Sequence, residues 1–261
     1  MTSYSTSSAA DRPGIVDFVG AGPGDPELLT LKALRAIQAA DVILHDRLMG
    51  GDVLALAATT TELIDVGKSG FGPSWSQTDI DQLLVDRARA GQRVVRLKSG
   101  DPTVFGRLDE EIEACTTAGI PWRIVPGITA ASAAVAGIGQ SLTRRGRNSS
   151  VRLLTGHDMK GFADHDWNAL ARKGEVAAIY MGKKSARFVQ GRLIMHGADR
   201  TTPVTVIENA SKPAERVLAT TLDRLPSDLT SAAFDGPALI LFGLAPREAR
   251  QSLAHLDKEF A

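Results

Sequence analysis

Short apolar segments alternate with glycine-rich or polar turns along the first half of the chain. Helical patterns follow several of these segments. Thr30 can cap a helix that carries Leu31, Leu34 and Ile37 on one stripe, and further helices are predicted over 78–90 and 106–118. Strands that alternate with helices in this way predict a parallel or mostly parallel sheet. The five predicted strands are 14–19, 41–44, 61–66, 94–97 and 122–125.

The second half of the chain has a different pattern. No helical stretch separates two of its predicted strands, 203–207 and 216–220, so this second sheet is expected to be mixed. A helix of small residues opens at Pro126, and helices are predicted over 167–172 and 185–196. The remaining strands of this half are predicted at 151–155, 176–181 and 238–242.

A change of composition suggests where the two halves divide. Around 137–149 the chain becomes rich in glycine, serine and arginine, so a domain boundary is expected there. The predicted α/β domains span 13–137 and 143–245. Residues 1–12, rich in serine, threonine and alanine, are expected to form a flexible leader, and 246–261 a C-terminal tail.

Composition and charge narrow the function classes. The 261 residues are 43% hydrophobic, which is ample for a core, and 30 basic residues balance 30 acidic ones. Nucleic-acid binding normally shows a basic excess, so a DNA or RNA partner is not expected. A single cysteine, Cys115, excludes an intrachain disulfide and a thiolate zinc cage, and no metal site is expected. Neither a signal peptide nor an apolar run of about 20 residues is present, so a cytoplasmic protein without a membrane partner is expected.

The strand predicted at 94–97 runs into a turn of small residues, Ser99-Gly100-Asp101-Pro102. Gly100 lets the backbone approach a ligand closely, and Asp101 places a carboxylate in the turn. Ligands of open α/β sheets bind outside the carboxyl ends of the strands, so this turn is a candidate ligand site. The alternative is an ordinary turn that uses glycine and aspartate only for its shape.

A second glycine-rich loop, 19–26, follows the first predicted strand. A dinucleotide fingerprint would need a glycine where Asp25 stands, and two prolines make an immediate helix awkward. A common methyltransferase motif also ends a strand in alternating glycines, with an acid at the next strand end that Asp46 would supply. The loop taken alone therefore predicts a small ligand without identifying it.

Six motifs taken together resemble the tetrapyrrole methylase family, and within it the chain is most similar to the uroporphyrinogen-III C-methyltransferases. The resemblance covers nearly everything from Gly14 to Gly243. The motifs are Val-Gly-Ala-Gly-Pro-Gly-Asp-Pro (19–26), His-Asp-Arg-Leu (45–48), Val-Gly-Lys (66–68), Arg-Leu-Lys-Ser-Gly-Asp-Pro-Thr-Val-Phe-Gly-Arg (96–107), Val-Pro-Gly-Ile-Thr-Ala-Ala-Ser (125–132) and Thr-Gly-His (155–157).

This resemblance implies an enzyme of two α/β domains with S-adenosylmethionine in the cleft between them and S-adenosylhomocysteine as the product. It implies methylation of uroporphyrinogen III at positions 2 and 7, giving precorrin-2 by way of precorrin-1, and a homodimer. Asp46 matches the family's proposed proton acceptor and Lys68 its proposed proton donor. The implied cofactor contacts are Pro23, Ser99, Gly100, Asp101, Val104, Thr129, Ala130, Met181 and Ala210.

The substrate's many carboxylates need cationic partners, and arginine suits paired hydrogen bonds with a carboxylate. Arg47, Arg107 and Arg145 are the predicted substrate contacts, with Lys98 and Arg144 as further candidates. The acidic run 109–113 is interpreted as a helix surface.

Departures from the family pattern affect the loops. Ser99 stands where a glycine is usual, Ala210 replaces another glycine, and 106–111 and 141–145 differ from the common runs. These changes leave the implied acid, base and lysine in place.

Several other functions remain open. Another precorrin methylase of the same fold is a close alternative, and a methylase of ribosomal RNA gains no support from the neutral charge. A non-catalytic carrier of an adenosyl ligand or tetrapyrrole belongs to a different class, and an NAD-dependent oxidoreductase is disfavoured by Asp25.

Overall fold

The computed structural model describes residues 14–67 and 75–247. The chain divides into two compact units after Thr129. The predicted leader, and the predicted tail from residue 248 onward, lie outside the described residues. No helix in the described part of the chain is long and apolar enough to cross a membrane.

The first unit contains a five-stranded sheet in the order β3-β2-β4-β1-β5. Every neighbouring pair of its strands is parallel. The carboxyl ends of β1 and β4 are level, because Gly20 pairs with Lys98 in the register. The strands are β1 (Ile15–Gly20), β2 (Val42–His45), β3 (Glu62–Asp65), β4 (Arg93–Lys98) and β5 (Trp122–Val125).

Helices cover both faces of this sheet, because neighbouring residues of each strand point to opposite sides. Val94 packs in a cluster with residues of α3 and α4, whereas Val95 packs in another with residues of α1. A short helix, α2, and a 3-10 turn at Pro26–Leu28 were not expected from the sequence. The helices are α1 (Leu31–Gln38), α2 (Gly51–Leu54), α3 (Gln77–Arg89) and α4 (Leu108–Thr117).

Helix α1 begins where its cap predicts. The Thr30 side chain accepts a hydrogen bond from the N–H of Ala33 at 3.1 Å. The buried stripe differs from the predicted one, since Leu31 is 71% exposed whereas Ala33 and Ile37 are fully buried. Small alanines let the helix lie close to the sheet, and this places Leu31 outside the contact.

The second unit has a five-stranded mixed sheet in the order β11-β10-β12-β9-β6. Only β6 and β9 are parallel within it, and the other three neighbouring pairs are antiparallel. The predicted parallel and mixed sheets of two α/β domains are therefore confirmed. The strands are β6 (Arg152–Thr155), β9 (Ala177–Tyr180), β10 (Pro203–Glu208), β11 (Arg216–Thr221) and β12 (Ala238–Phe242).

Four helices and a hairpin complete this unit. The hairpin and the last helix were not expected from the sequence, since the hairpin strands have two residues each and the helix buries only two leucines, Leu225 and Leu229. The elements are α5 (Ala130–Gly137), the hairpin strands β7 (His157–Asp158) and β8 (Gly161–Phe162), α6 (Trp167–Leu170), α7 (Ala186–Met195) and α8 (Leu225–Ala232).

Helix α5 belongs to the second unit, although the sequence placed its residues in the first domain. Ala131 and Ala134 pack in one cluster with Ala178 and Leu241 of the second sheet. The N–H of Ala131 also donates to the Tyr180 hydroxyl at 3.1 Å. The chain therefore divides before this small-residue helix and not after it.

Candidate active site

Three glycine turns of the first unit meet at the carboxyl edge of its sheet. A Cβ on Gly20 would lie 2.5 Å from the Gly127 nitrogen, and one on Gly127 would lie 2.2 Å from the Gly100 oxygen. Gly100 and Gly22 also exchange backbone hydrogen bonds of 2.7 and 3.1 Å. The sequence explained Gly100 by close approach to a ligand, and the structure adds that the turns approach one another too closely for a side chain at Gly20 or Gly127.

Asp101 ties two of these turns together. Its Oδ2 accepts from the N–H of Gly127 at 2.9 Å, and its Oδ1 accepts from the N–H of Thr103 at 2.8 Å. The Thr103 hydroxyl also donates to Oδ1. An ionised carboxylate can accept about four hydrogen bonds. Asp101 therefore holds the loop in shape and keeps capacity for one further donor.

The other predicted cofactor residues of the first unit lie in or beside the same turns. Pro23 is buried in the loop after β1, and Ser99 follows β4. Val104 donates its N–H to the backbone oxygen of Asp101 at 3.1 Å. Thr129 is the last residue of this unit and is partly buried.

The predicted cofactor residues of the second unit also follow strands. Met181 comes after β9 and Ala210 comes shortly after β10, two strands that run in the same direction because each is antiparallel to β12. Met181 has a left-handed backbone, φ 52°, and is 52% exposed. Ala210 is buried, and the third residue, Ala130, is the first of α5.

A left-handed conformation is uncommon outside glycine and often marks a functional turn. At Met181 it presents an apolar, polarizable side chain to solvent directly after a strand. The assignment of these residues to a cofactor site stays a prediction.

A chain of ion pairs runs from the end of β2 into the core of the first unit. Asp46 accepts from Arg96 Nη2 at 2.6 Å, and Arg96 Nε donates to Glu111 at 3.0 Å. Lys98 Nζ donates to both oxygens of Glu111 at 2.7 Å. Two carboxylates therefore balance two cations, which offsets the cost of burying the charges.

Burial differs along this chain. The side chains of Arg96, Lys98 and Glu111 are at most 5% exposed, whereas that of Asp46 is 32% exposed. Of these four ion-paired side chains, Asp46 is therefore the one that a ligand can reach. A carboxylate that is held by a buried arginine and still open to solvent can accept a proton from a bound molecule.

The surroundings shift the pKa values of the two cations in opposite directions. Burial lowers the pKa of Lys98, and the neighbouring Arg96 charge lowers it further. Burial alone would also lower the pKa of Arg96, but Glu111 and Asp46 outweigh it and the pKa is raised. Arg96 thus stays charged at any pH at which the protein is folded.

Two interpretations from the sequence are wrong here. Glu111 was assigned to an exposed helix surface, yet it is completely buried. Lys98 was a candidate for substrate binding, yet both Glu111 oxygens already bind its ammonium. The sequence analysis also missed Arg96. The available signal was a basic residue at alternate positions, 96 and 98, of an otherwise apolar strand, since such residues share one face.

The predicted substrate arginines lie on the surface. Arg47 is paired with Asp65 at 3.4 Å, and the Arg107 guanidinium binds Glu110 at 2.6 Å with both side chains about half exposed. Arg145 is exposed in loop 143–149, and no carboxylate of the described residues pairs with it. Each of these side chains can exchange its present contacts for a ligand at small cost.

Loop 143–149 encloses a shallow cavity of about 650 Å³. Arg147 braces it by donating to the Ser141 oxygen at 2.7 Å, and the Asn148 amide donates to the oxygens of Leu142 and Ser150 at 2.9 and 2.7 Å. Arg147 therefore serves the loop itself, while Arg145 is left to face solvent.

Lys68, the predicted proton donor, lies outside the described residues. Its neighbour Gly67 donates its N–H to Asp65 Oδ1 at 2.8 Å, at the end of β3. Among the described residues, no three histidine, cysteine, aspartate or glutamate side chains come together as a metal site would require.

Comparison with known proteins identifies relatives of this arrangement. The family described as Tetrapyrrole (Corrin/Porphyrin) Methylases matches residues 16–226. Siroheme synthase 3 of Aeromonas hydrophila is 46% identical over 230 residues, which are 88% of this chain and 49% of the relative. Siroheme synthase 2 of Pectobacterium atrosepticum is 44% identical over 243 residues, 93% of this chain and 52% of the relative. The chain thus spans about half the length of these curated relatives.

Solved structures share the fold over nearly their whole length. A uroporphyrin-III C-methyl transferase from Thermus thermophilus, complexed with S-adenyl homocysteine, is 38% identical with a TM-score of 0.75. The match covers 97% of that structure and 88% of this chain. A cobalt precorrin-4 methyltransferase is 28% identical with a TM-score of 0.79 and is covered to 94%, again against 88% of this chain.

Proposed function

Because the chain belongs to the tetrapyrrole methylase family, we propose that it is an S-adenosylmethionine-dependent methyltransferase that converts uroporphyrinogen III to precorrin-2. It adds methyl groups at positions 2 and 7, by way of precorrin-1. The observation that carries this proposal is Asp46, a partly exposed carboxylate held by Arg96 at 2.6 Å at the end of β2. The named relatives, siroheme synthases and a uroporphyrin-III C-methyl transferase, support the choice of substrate.

The residues present fit S-adenosylmethionine. The turns after β1, β4 and β5 offer backbone groups and small residues, and Asp101 keeps capacity for a hydroxyl or amino donor. In this proposal Pro23, Ser99, Gly100 and Val104 are further contacts of the first unit. Thr129, Ala130, Met181 and Ala210 are the remaining proposed contacts. When bound, the cofactor supplies an activated methyl group on a sulfonium.

Methyl transfer from a sulfonium is intrinsically favourable, so the protein mainly aligns the two reactants and excludes water. A proton leaves the tetrapyrrole as the new carbon–carbon bond forms. Asp46 takes that proton, because its carboxylate is held in place by Arg96 and can be reached from solvent. Lys68 is proposed as the proton donor on the basis of its motif alone.

The substrate's carboxylates are bound by arginines in this proposal. Arg145 is exposed and unpaired with any described carboxylate, so it can bind one without first breaking an ion pair. Arg47 and Arg107 exchange their partners Asp65 and Glu110 for the ligand. A cytoplasmic homodimer is the proposed working form.

A second candidate function is methylation of an already methylated precorrin. It is favoured by the likeness to a cobalt precorrin-4 methyltransferase, whose TM-score of 0.79 exceeds the 0.75 of the uroporphyrin-III enzyme. Sequence identity favours the uroporphyrin-III enzyme, which is 38% identical to this chain, over the cobalt precorrin-4 enzyme, which is 28% identical. Anaerobic incubation with methyl-labelled S-adenosylmethionine and each tetrapyrrole in turn separates the two, since label enters only the true acceptor.

A further inference from the structure

Every nitrogen of the Arg96 guanidinium is engaged. Nη2 donates to Asp46 at 2.6 Å and Nε to Glu111 at 3.0 Å. Nη1 donates to the backbone oxygens of Leu97 and Leu44, at 3.2 and 3.4 Å. A planar guanidinium bound at all three nitrogens cannot rotate without losing several hydrogen bonds. Its position is therefore fixed by the core of the sheet and not by the exposed loop that carries Asp46.

Glu111 in turn fixes Arg96 from the opposite side. Its carboxylate is buried and also accepts two hydrogen bonds from Lys98 at 2.7 Å. The Lys98 stem lies under the next turn, since a Cβ on Gly106 would lie 3.2 Å from Lys98 Cε. A buried series of ion pairs thus connects the candidate base at the end of β2 to the turn that follows Ser99-Gly100-Asp101.

We propose that Arg96 is a positioning residue of the reaction, which holds the Asp46 carboxylate in the orientation that accepts the proton. This inference rests on the proposed function, because it assigns Asp46 the role of base. Arg96 itself does not touch the substrate, since its side chain is 4% exposed and its nitrogens are occupied. It acts through Asp46 alone.

The other charged groups around this chain do not replace Arg96. Arg47 next to Asp46 is 58% exposed and pairs with Asp65 of β3. Asp81 of α3 faces Glu111, and Gln77 donates to both of these acids, at 2.8 Å to Asp81 and 3.5 Å to Glu111. His45 contacts the backbone oxygen of Asp46 and not its carboxylate.

A double-mutant cycle tests this role on the full chain. The variants are Arg96→Gln, Asp46→Asn and the double variant, assayed for kcat and KM with uroporphyrinogen III and for binding of S-adenosylhomocysteine by calorimetry. A displacement of about 1 Å at a reacting group can reduce the rate about 100-fold, so Arg96→Gln is expected to lower kcat by about that factor. Binding of S-adenosylhomocysteine and KM are expected to change less than about threefold.

The cycle distinguishes positioning from general structural support. In the Asp46→Asn background, Arg96→Gln is expected to cause no further loss of kcat, because the group through which it acts is absent. Losses that multiply instead, or a parallel loss of S-adenosylhomocysteine binding, would overturn the positioning role. Arg87→Gln is the matched control, since it breaks a two-bonded pair with Glu62 on the surface of the same unit.

A second variant, Arg96→Lys, tests the same role if Arg96→Gln folds poorly. Arg96→Lys keeps the buried charge but not the planar fork, so it is expected to fold, to bind S-adenosylhomocysteine and still to lose kcat at least 10-fold. Wild-type kcat in this variant would contradict the inference. If the wild-type protein methylates no uroporphyrinogen III, the proposed function fails and the inference fails with it. If the wild-type protein methylates uroporphyrinogen III but the kcat losses of the two single variants multiply in the double variant, the role of Arg96 is contradicted and the proposed function stands.

Discussion

The carboxylate of Asp101 accepts a hydrogen bond from the N–H of Gly127 at 2.9 Å, across 26 positions of the chain. This bond joins the turn after β4 to the turn after β5. Asp101, a predicted cofactor contact, therefore also shapes its turn, as the alternative interpretation of the sequence had it, and fastens that turn to a second one.

Replacing Asp101 with alanine is expected to weaken cofactor binding and the fold together. The variant loses three accepted hydrogen bonds, and each lost bond costs about 1 kcal/mol of unfolding free energy, or more where a buried donor is left unpaired. Calorimetry with S-adenosylhomocysteine should show affinity reduced at least about 10-fold. Asp109→Ala, an exposed acid of α4, is the control, and equal behaviour of both variants would contradict the role of Asp101.

The close approach of the turns predicts opposite outcomes at two glycines. Gly127→Ala places a Cβ 2.2 Å from the Gly100 oxygen, so it should lower the free energy of unfolding by several kcal/mol or prevent folding. Gly191→Ala lies within helix α7 with no atom within 4 Å of the new Cβ, so it should raise that free energy by about 0.5–1 kcal/mol. Chemical denaturation measures both, and a tolerated Gly127→Ala would contradict the packing.

Removing the buried acid Glu111 should lower the free energy of unfolding more than removing the exposed acid Glu110. Glu111→Ala leaves Arg96 and Lys98 buried without their shared partner, and breaking a buried pair in this way costs about 3–5 kcal/mol of unfolding free energy. Glu110→Ala on the same helix breaks the exposed pair with Arg107, so a change below about 1 kcal/mol is expected. Denaturant melts of the two variants provide the measurement, and similar midpoints would disprove the account of this network.

Cys115 should be unreactive until the protein unfolds. Burial raises the pKa of its thiol from 9.0 to about 11, with the Glu111 charge acting in the same direction. At pH 8.5 a thiol reagent should therefore modify the native protein far more slowly than the denatured protein, with Cys115→Ala as the blank. Because the folded pKa is above the unfolded one, this thiol stabilises the fold below pH 9, and that contribution is lost as the pH rises towards 11. Fast native modification would contradict the burial.

Arg145→Ala should weaken substrate binding. Loss of an exposed arginine that binds a substrate carboxylate should raise KM for uroporphyrinogen III about 10-fold with little change in kcat. Arg224→Ala, which breaks an exposed pair with Asp228 in the same unit, is the control and should leave both constants unchanged. An unchanged KM in Arg145→Ala would remove loop 143–149 from the site.

The sequence predicted the sheets well because their strands carry strong local signals. The predicted segment 122–125 and the predicted segment 238–242 agree with β5 and β12 to the residue. The β7–β8 hairpin was missed, since two residues per strand give no period to detect, and α2 was missed because it is a single turn without a side-chain cap. The boundary near residue 137 was misplaced because an alanine-rich helix shows no preferred partner in its sequence.

The ion-pair chain could not be predicted in the same way. Arg96 and Glu111 are 15 positions apart, and only the packing of α4 on β4 brings them together. An acidic run such as 109–113 is exposed in most helices, and the sequence does not distinguish its one buried member. Asp46 was found through a family motif, whereas its partner Arg96 became visible only in the structure.

The central claim is tested most directly by the mass of the product. The protein is incubated without oxygen with uroporphyrinogen III and S-adenosylmethionine, and the tetrapyrrole is analysed by mass spectrometry. We predict that the wild-type protein adds two methyl groups within a time in which Asp46→Ala, slowed about 100-fold or more by loss of the base, adds almost none. Asp46→Ala should still bind S-adenosylhomocysteine. A wild-type protein that binds S-adenosylhomocysteine but leaves uroporphyrinogen III unmethylated would contradict the proposed function.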